Sequence, residues 1–156
     1  MGASDHLTMR ARRHPRVAGT VLLGAAVAWL LPAAPAQAQN QPSLAIELNK
    51  LEDSGEGCRS MFVFDNRTGH ELHRFRVDLI LFDQKGVYAR QLLLDMAPLS
   101  EDKKVLASFL LAEEPCDSIG SLLINDLPWC ENGSGAELDC VDLLEVRSRS
   151  DVPLEK

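Results

Sequence analysis

A single all-β sandwich of about seven antiparallel strands is the fold class that this 156-residue sequence predicts. Three observations carry it. Short alternations of apolar and polar residues recur after residue 40. Clusters rich in Gly, Asn and Asp separate them. No segment beyond the N-terminal forty residues sustains an apolar 3.6-residue period over three turns, and no βαβ alternation or internal repeat is present.

The strands follow in order. In 43–51, SLAIELNKL, Leu44, Ile46 and Leu48 share one face, the mark of a half-buried strand. Asp53-Ser54-Gly55-Glu56-Gly57 is a turn cluster. The second strand covers 58–65 and Asn66-Arg67-Thr68-Gly69 closes it. The third covers 72–82, with Phe75, Val77, Leu79 and Leu81 on one face. Its other face starts polar with Arg74, Arg76 and Asp78, then turns apolar at Ile80 and Phe82. Asp83-Gln84-Lys85-Gly86 is a hairpin connection to a fourth strand over 87–95. After a loop at 96–102 come strands over 103–111, 119–125 and 141–149. The last breaks its alternation, and a turn or two of helix fits at 110–114 or 139–144. Phe62, Phe64, Phe75, Leu79, Leu81, Leu93, Phe109, Leu122 and Ile124 are the expected core between two sheets about 10 Å apart.

Several features of the chain carry a resemblance. They are the IELNKLE opening, Gly57-Cys58-Arg59, Asp65-Asn66 before a Gly turn, Leu81-Phe82-Asp83 before Gly86, and Ile124-Asn125-Asp126 before Cys130. In these the chain resembles a small, uncharacterised proteobacterial periplasmic family whose members carry the label of Tat pathway (twin-arginine) signal-sequence domain proteins. The likeness spans nearly all of the chain after the N-terminal segment, and it implies no catalytic residues. More loosely, the succession of strands and turns is similar to immunoglobulin-like modules of bacterial envelope proteins. That implies a layout and not an activity. The Trp of the third strand and the Tyr two residues before the second Cys, both expected of a true immunoglobulin domain, are absent.

The first 38 residues read as a signal peptide. Arg10, Arg12, Arg13 and Arg16 form a basic region, 17–31 is an uncharged apolar run, and Ala36-Gln37-Ala38 fits a cleavage site. A run of about fifteen residues falls short of the roughly twenty that a spanning helix needs. Arg12-Arg13 raises the twin-arginine route, but His14-Pro15 follows where that signal has Phe and Leu, so the general secretory route fits equally. The expected destination is the periplasm, with 39–156 as the working domain and no stable membrane span. The whole chain has 16 basic and 23 acidic residues. Without the four Arg and one Asp of 1–38 it keeps 12 and 22, a formal charge of −10. Such a domain repels nucleic acid and anionic headgroups.

Cys58, Cys116, Cys130 and Cys140 all lie after the signal. An even count in a small exported domain reads as disulfides. Four cysteines allow three pairings, and Cys58–Cys116 with Cys130–Cys140 is the favoured one. Chain entropy then assigns roughly 4 kcal/mol to the long loop and roughly 3 kcal/mol to the short one. The gaps of 58, 14 and 10 positions suit neither the close cysteine pairs of zinc sites nor a Cys-x-x-Cys redox motif.

Catalytic signals are lacking. His70 and His73 stand three apart after a turn, not four apart on a helix. Paired acids such as Glu113-Glu114 lack the alternating oxygen ligands of a calcium loop. No cofactor, no metal and no enzymatic activity are expected. Ile80, Phe82 and Trp129 are the candidate interaction residues, because aromatic and apolar side chains concentrate at interface centres. Trp129, beside Cys130, also suits a cap over the edge of the core. The expected function is a non-catalytic binding or structural module of the envelope that contacts another envelope protein. The alternative is a small-ligand or metal-binding protein using the acidic loops with His70 and His73.

Overall fold

A computed structural model describes residues 41–156; the signal peptide and its cleavage site lie outside the described residues. Among the described residues there are eight strands: β1 (Ser43–Ser54), β2 (Gly57–Arg67), β3 (Leu72–Asp83), β4 (Tyr88–Asp95), β5 (Lys103–Ala112), β6 (Ile119–Asn132), β7 (Leu144–Ser148) and β8 (Leu154–Glu155). They form two four-stranded sheets, ordered β5-β2-β1-β7 and β4-β3-β6-β8. The chain is an all-β sandwich.

Three details correct the sequence reading. The sheets are mixed, because β7 runs parallel to β1 and β8 parallel to β6, while the other pairs are antiparallel. β8 is an eighth strand, two residues long. β6 continues to Asn132, past the expected end at Asn125. Pro128 sits at an irregularity there. Arg76 pairs with Trp129 and Asp78 with Asp126, so Leu127 and Pro128 bulge opposite Val77. A bulge is where a strand accepts proline without losing a ladder bond. Between β5 and β6 the chain makes one 3-10 turn at Cys116–Ser118, and β5 itself occupies 110–112, where a helix was an option.

Alternation decides which side chains go in. Leu44, Ile46, Leu48, Phe62, Phe64, Phe75, Leu79, Leu81, Leu122 and Ile124 are buried between the sheets. Each buried apolar side chain contributes roughly 1.5–3 kcal/mol. Phe64 meets Phe75 edge-on across the sheets, with ring centroids 6.2 Å apart. Phe109 is half-buried and lies 6.3 Å from Phe62. Leu93 is not core: 56% of it is exposed. Leu92-Leu93-Leu94 is one apolar run, and Leu94, paired with Val77, is the buried member.

Short connections lock the sandwich. β1 and β2 join through Gly55-Glu56, with the Ser54 hydroxyl donating to the Gly57 carbonyl at 2.9 Å. Gly57 has φ +123°, and a Cβ there would lie 2.1 Å from the Ala112 carbonyl oxygen. Only glycine lets β2 start against the end of β5. Asn66, fully buried, donates its side-chain amide to the carbonyls of His70 (2.9 Å), Leu99 (3.0 Å) and Ser100 (3.3 Å). Its oxygen accepts from the Thr68 hydroxyl at 2.8 Å. One side chain thus fastens the β2–β3 turn to the loop between β4 and β5.

Both favoured disulfides are formed. Cys58–Cys116 ties β2 to the 3-10 turn, and Cys130–Cys140 ties β6 to the segment that leads into β7. Two intact disulfides fit an oxidising, exported setting. Among the described residues, no helix is long and apolar enough to cross a membrane.

The sandwich is established, and an immunoglobulin-like layout is not. β1, β2 and β5 share one sheet while β3 and β6 share the other. The arrangement departs from that layout at β7. The last strand of that layout lies beside the sixth, whereas β7 lies beside β1.

Candidate functional site

The outer face of the β4-β3-β6-β8 sheet gathers the candidate residues. β3 is flanked by β4 and β6, so its outward side chains sit mid-sheet. They are Arg74, Arg76, Asp78, Ile80 and Phe82, and they divide the face into three zones.

The first zone is charged and aromatic. Trp129 on β6 stands opposite Arg76. The Arg76 guanidinium carbon lies 3.5 Å from the centre of the Trp129 ring, and that of Arg74 lies 4.1 Å away. Arg76 is held for this by a two-point ion pair to Asp95 on β4, at 2.7 and 2.8 Å. Arg74 pairs with Glu131 on β6 at 2.7 Å. The hydrogen bonds from Arg76 hold the Asp95 carboxyl below its ordinary range, and Asp95 in turn raises Arg76. Each cation–π contact at a half-exposed site contributes roughly 0.5–1 kcal/mol.

The middle zone is Asp78, only 7% exposed. Its carboxyl accepts from Gln91 at 2.6 Å and from Asn125 at 2.8 Å. Two neutral amides, one from each flanking strand, replace the water that burial removes. They also fix the spacing of β4 and β6 about β3.

The third zone is apolar. Ile80 faces Gln91 on β4 and Leu123 on β6, and Phe82 faces Tyr88 and Ser121. Ile80, Phe82 and Leu123 are half-buried. Leu93 is 56% exposed, and Val87 and Tyr88 are each 58% exposed. An outward sheet face of this kind ordinarily carries polar residues.

Ile80 and Phe82 are therefore brought together, and Trp129 is not with them. Four residue steps along β3 separate the rung of Trp129 from that of Ile80, roughly 13 Å of strand. Asp78 lies between. Nor does Trp129 cap the core beside its neighbouring cystine. Cys130 faces inward and is buried, while Trp129 on the next position faces out beneath the two arginines. Successive strand residues point to opposite faces, so adjacency in sequence separates them in space.

Sequence reading missed Tyr88, Leu93 and Leu123 on this face, and the Asp78 network. The Leu92-Leu93-Leu94 run of β4 and the Leu122-Leu123-Ile124 run of β6 hide which parity faces out. Asp78 falls in the polar half of an alternating strand, where nothing local marks it as buried.

The histidines and acidic clusters are not assembled. His70 sits exposed in the β2–β3 turn. The His73 ring lies against Gly133, 3.6 Å from the Glu71 carboxylate. Among the described residues, no three His, Cys, Asp or Glu side chains are placed to hold a metal ion. A shallow groove of about 310 Å³ runs between the ends of β3, β4 and β5, with Phe82, Asp83, Arg90, Glu113 and Glu114 on its walls. Arg90 crosses it to donate to the Leu111 carbonyl at 3.4 Å. Comparison with protein-family models, with curated proteins and with solved structures gives no match.

Proposed function

We propose that this protein is an exported, non-catalytic binding or structural module of the cell envelope. It works in the periplasm and contacts another envelope protein through the outer face of the β4-β3-β6-β8 sheet. One observation carries the reading: Ile80, Phe82, Leu123, Leu93 and Tyr88 form an apolar zone on an outward sheet face, which beyond the buried Asp78 also carries a tryptophan held by two arginines. Apolar and aromatic groups ringed by polar ones resemble the centre and rim of a protein interface. The arginines and Trp129 supply side chains of the kind enriched at energetic centres of interfaces.

A photo-crosslinking residue at Leu93 tests this in living cells. It should trap one defined envelope protein, and Ile80→Glu in the same chain should abolish the adduct. A crosslinker at Glu145, outward on the other sheet, should trap none. Equal trapping at both positions, or an adduct indifferent to Ile80→Glu, would sink the proposal.

A further inference from the structure

We propose that Asn132 is a self-modifying site, at which the folded domain converts its own Asn132-Gly133 link through a cyclic imide into aspartate and isoaspartate. Water is the one co-reactant. The site is separate from the sheet face discussed above.

Asn132-Gly133 is the one Asn-Gly pair in the sequence. It stands where β6 ends and enters the loop closed by Cys130–Cys140. Imide formation needs the backbone nitrogen that follows an asparagine to reach the asparagine's side-chain carbon. A side chain on the following residue hinders that approach, and glycine has none. Gly133 is exposed, and among the described residues no group accepts from its N–H. A Cβ at Gly133 would lie 3.1 Å from His73 Nε2, so the neighbouring imidazole favours glycine there as well.

The asparagines of the described residues differ in what holds the amide nitrogen. Asn49 donates it to Glu47 at 3.1 Å, Asn125 to Asp78 at 2.8 Å, and Asn66 to three carbonyls. The Asn132 nitrogen donates to no protein group among the described residues. Its oxygen is the anchored atom instead. That oxygen accepts from the Ser134 hydroxyl at 2.7 Å, the Ser134 N–H at 3.0 Å and the Ala136 N–H at 3.0 Å. These distances match those of an oxyanion hole, whose donors stabilise the negative oxygen formed when a nucleophile adds to a carbonyl. The carbon to be attacked is thus activated, while the nitrogen that must leave is unheld.

The chemistry balances without any oxidant or reductant. The Gly133 nitrogen bonds to Asn132 Cγ and gives its proton to solvent. The Cγ–Nδ2 bond breaks, and Nδ2 takes a proton and departs as ammonia. Water then opens the ring at either carbonyl and leaves aspartate or isoaspartate at position 132. Either product adds a negative charge inside the cystine loop. In isoaspartate the main chain runs through the former side chain, so the carbonyl that accepts the Gly135 N–H at 2.9 Å becomes a free carboxylate.

Peptide mapping by mass spectrometry tests this, on the oxidised protein held in warm, mildly alkaline buffer made with heavy-oxygen water. Asn132 should take up heavy oxygen as aspartate and isoaspartate, while Asn49, Asn66 and Asn125 stay intact. Gly133→Ala should slow the uptake about tenfold by hindering the attack. Ser134→Ala keeps the glycine and should slow it several-fold, less than a donor in a dry site would, because the turn is open to water. Circular dichroism checks that both variants keep the fold. An Asn132 that stays intact in the folded protein and converts only in denaturant overturns the proposal. So does a Ser134→Ala protein that converts as fast as the parent, because the bare Asn-Gly pair would then account for the reaction without the turn.

Discussion

The two flanks of the sandwich are built differently. On one flank β7 and β8 close the sheets. Both are short, both run parallel to their neighbours, and residues 149–153 join them directly. The Ser148 hydroxyl donates to the Val152 carbonyl at 2.6 Å within that join, and the Lys156 ammonium reaches back to the Leu144 carbonyl. On the other flank β4 and β5 are eight and ten residues long, antiparallel to their single neighbours, and carry the exposed Tyr88, Leu93, Leu106 and Leu110. One flank spends its apolar residues inside, Leu144 and Leu154 being buried. The other displays them. Burial is the main stabilising force, so the apolar side chains of β4 left in water on this flank are what the proposed partner contact would cover.

The two disulfides fasten other parts of the sandwich, β2 to the 3-10 turn and β6 to the segment before β7, and removing these should give the largest effects. Loss of Cys58–Cys116 by paired alanine substitution should cost roughly 4 kcal/mol, and loss of Cys130–Cys140 roughly 3 kcal/mol, by denaturant unfolding. Equal costs would mean that strain or residual structure, not loop length, governs both. Next in size is the contrast of leucines. Leu154→Ala on the closed flank should cost about 2–3 kcal/mol. Leu93→Ala or Leu106→Ala on the open flank should stay within about 0.5 kcal/mol at concentrations where the protein is monomeric. A large loss at Leu93 would place it in the core after all.

The anchoring amide of Asn66 comes next. Asn66→Ala should lower stability by about 1–3 kcal/mol, because three carbonyls, the buried one of Leu99 among them, lose a donor. Amide exchange should rise first at Leu72 and Leu99, whose backbones bond to each other at 2.9 Å.

Acid should produce the smallest effect. Glu47 is held below its ordinary value chiefly by its hydrogen bond from Arg149 on the closed flank. Asp95 is lowered by Arg76, and Asp83 by the backbone N–H groups of Val87 and Lys85. A lowered folded pKa means that the unfolded chain takes up protons first. Stability is therefore full above the ordinary carboxylate value near 4 and declines as pH falls through the lowered folded values. Arg149→Ala should flatten the part of that decline owed to Glu47, as read from melting temperature against pH.

Most of the sandwich was legible because β1 and β2 alternate, β3 keeps one apolar face, and their turns carry Gly, Asn and Asp. What escaped has identifiable physical causes. β8 has two residues, too few to show a period. The parallel course of β7 depends on pairing with β1, about a hundred positions away. The end of β6 runs on through a bulge at Leu127-Pro128, which local alternation does not show. The disulfide pairing was readable because loop position and compartment both constrain it. At the candidate face, Ile80 and Phe82 stood out as apolar residues on a polar parity. The pairing of Trp129 with Arg74 and Arg76 could not be seen, because it rests on the register of β3 against β6.

Asn66 carries one more consequence. With Thr68 it forms an Asn-x-Thr acceptor for N-linked sugar. In the folded domain its amide nitrogen is fully enclosed and bonded to three carbonyls. No oligosaccharide can be attached there once the sandwich has closed, and a chain glycosylated while still nascent could not close it. Production in a host with that machinery would therefore set sugar transfer against folding at this single residue, and Asn66 would report which came first.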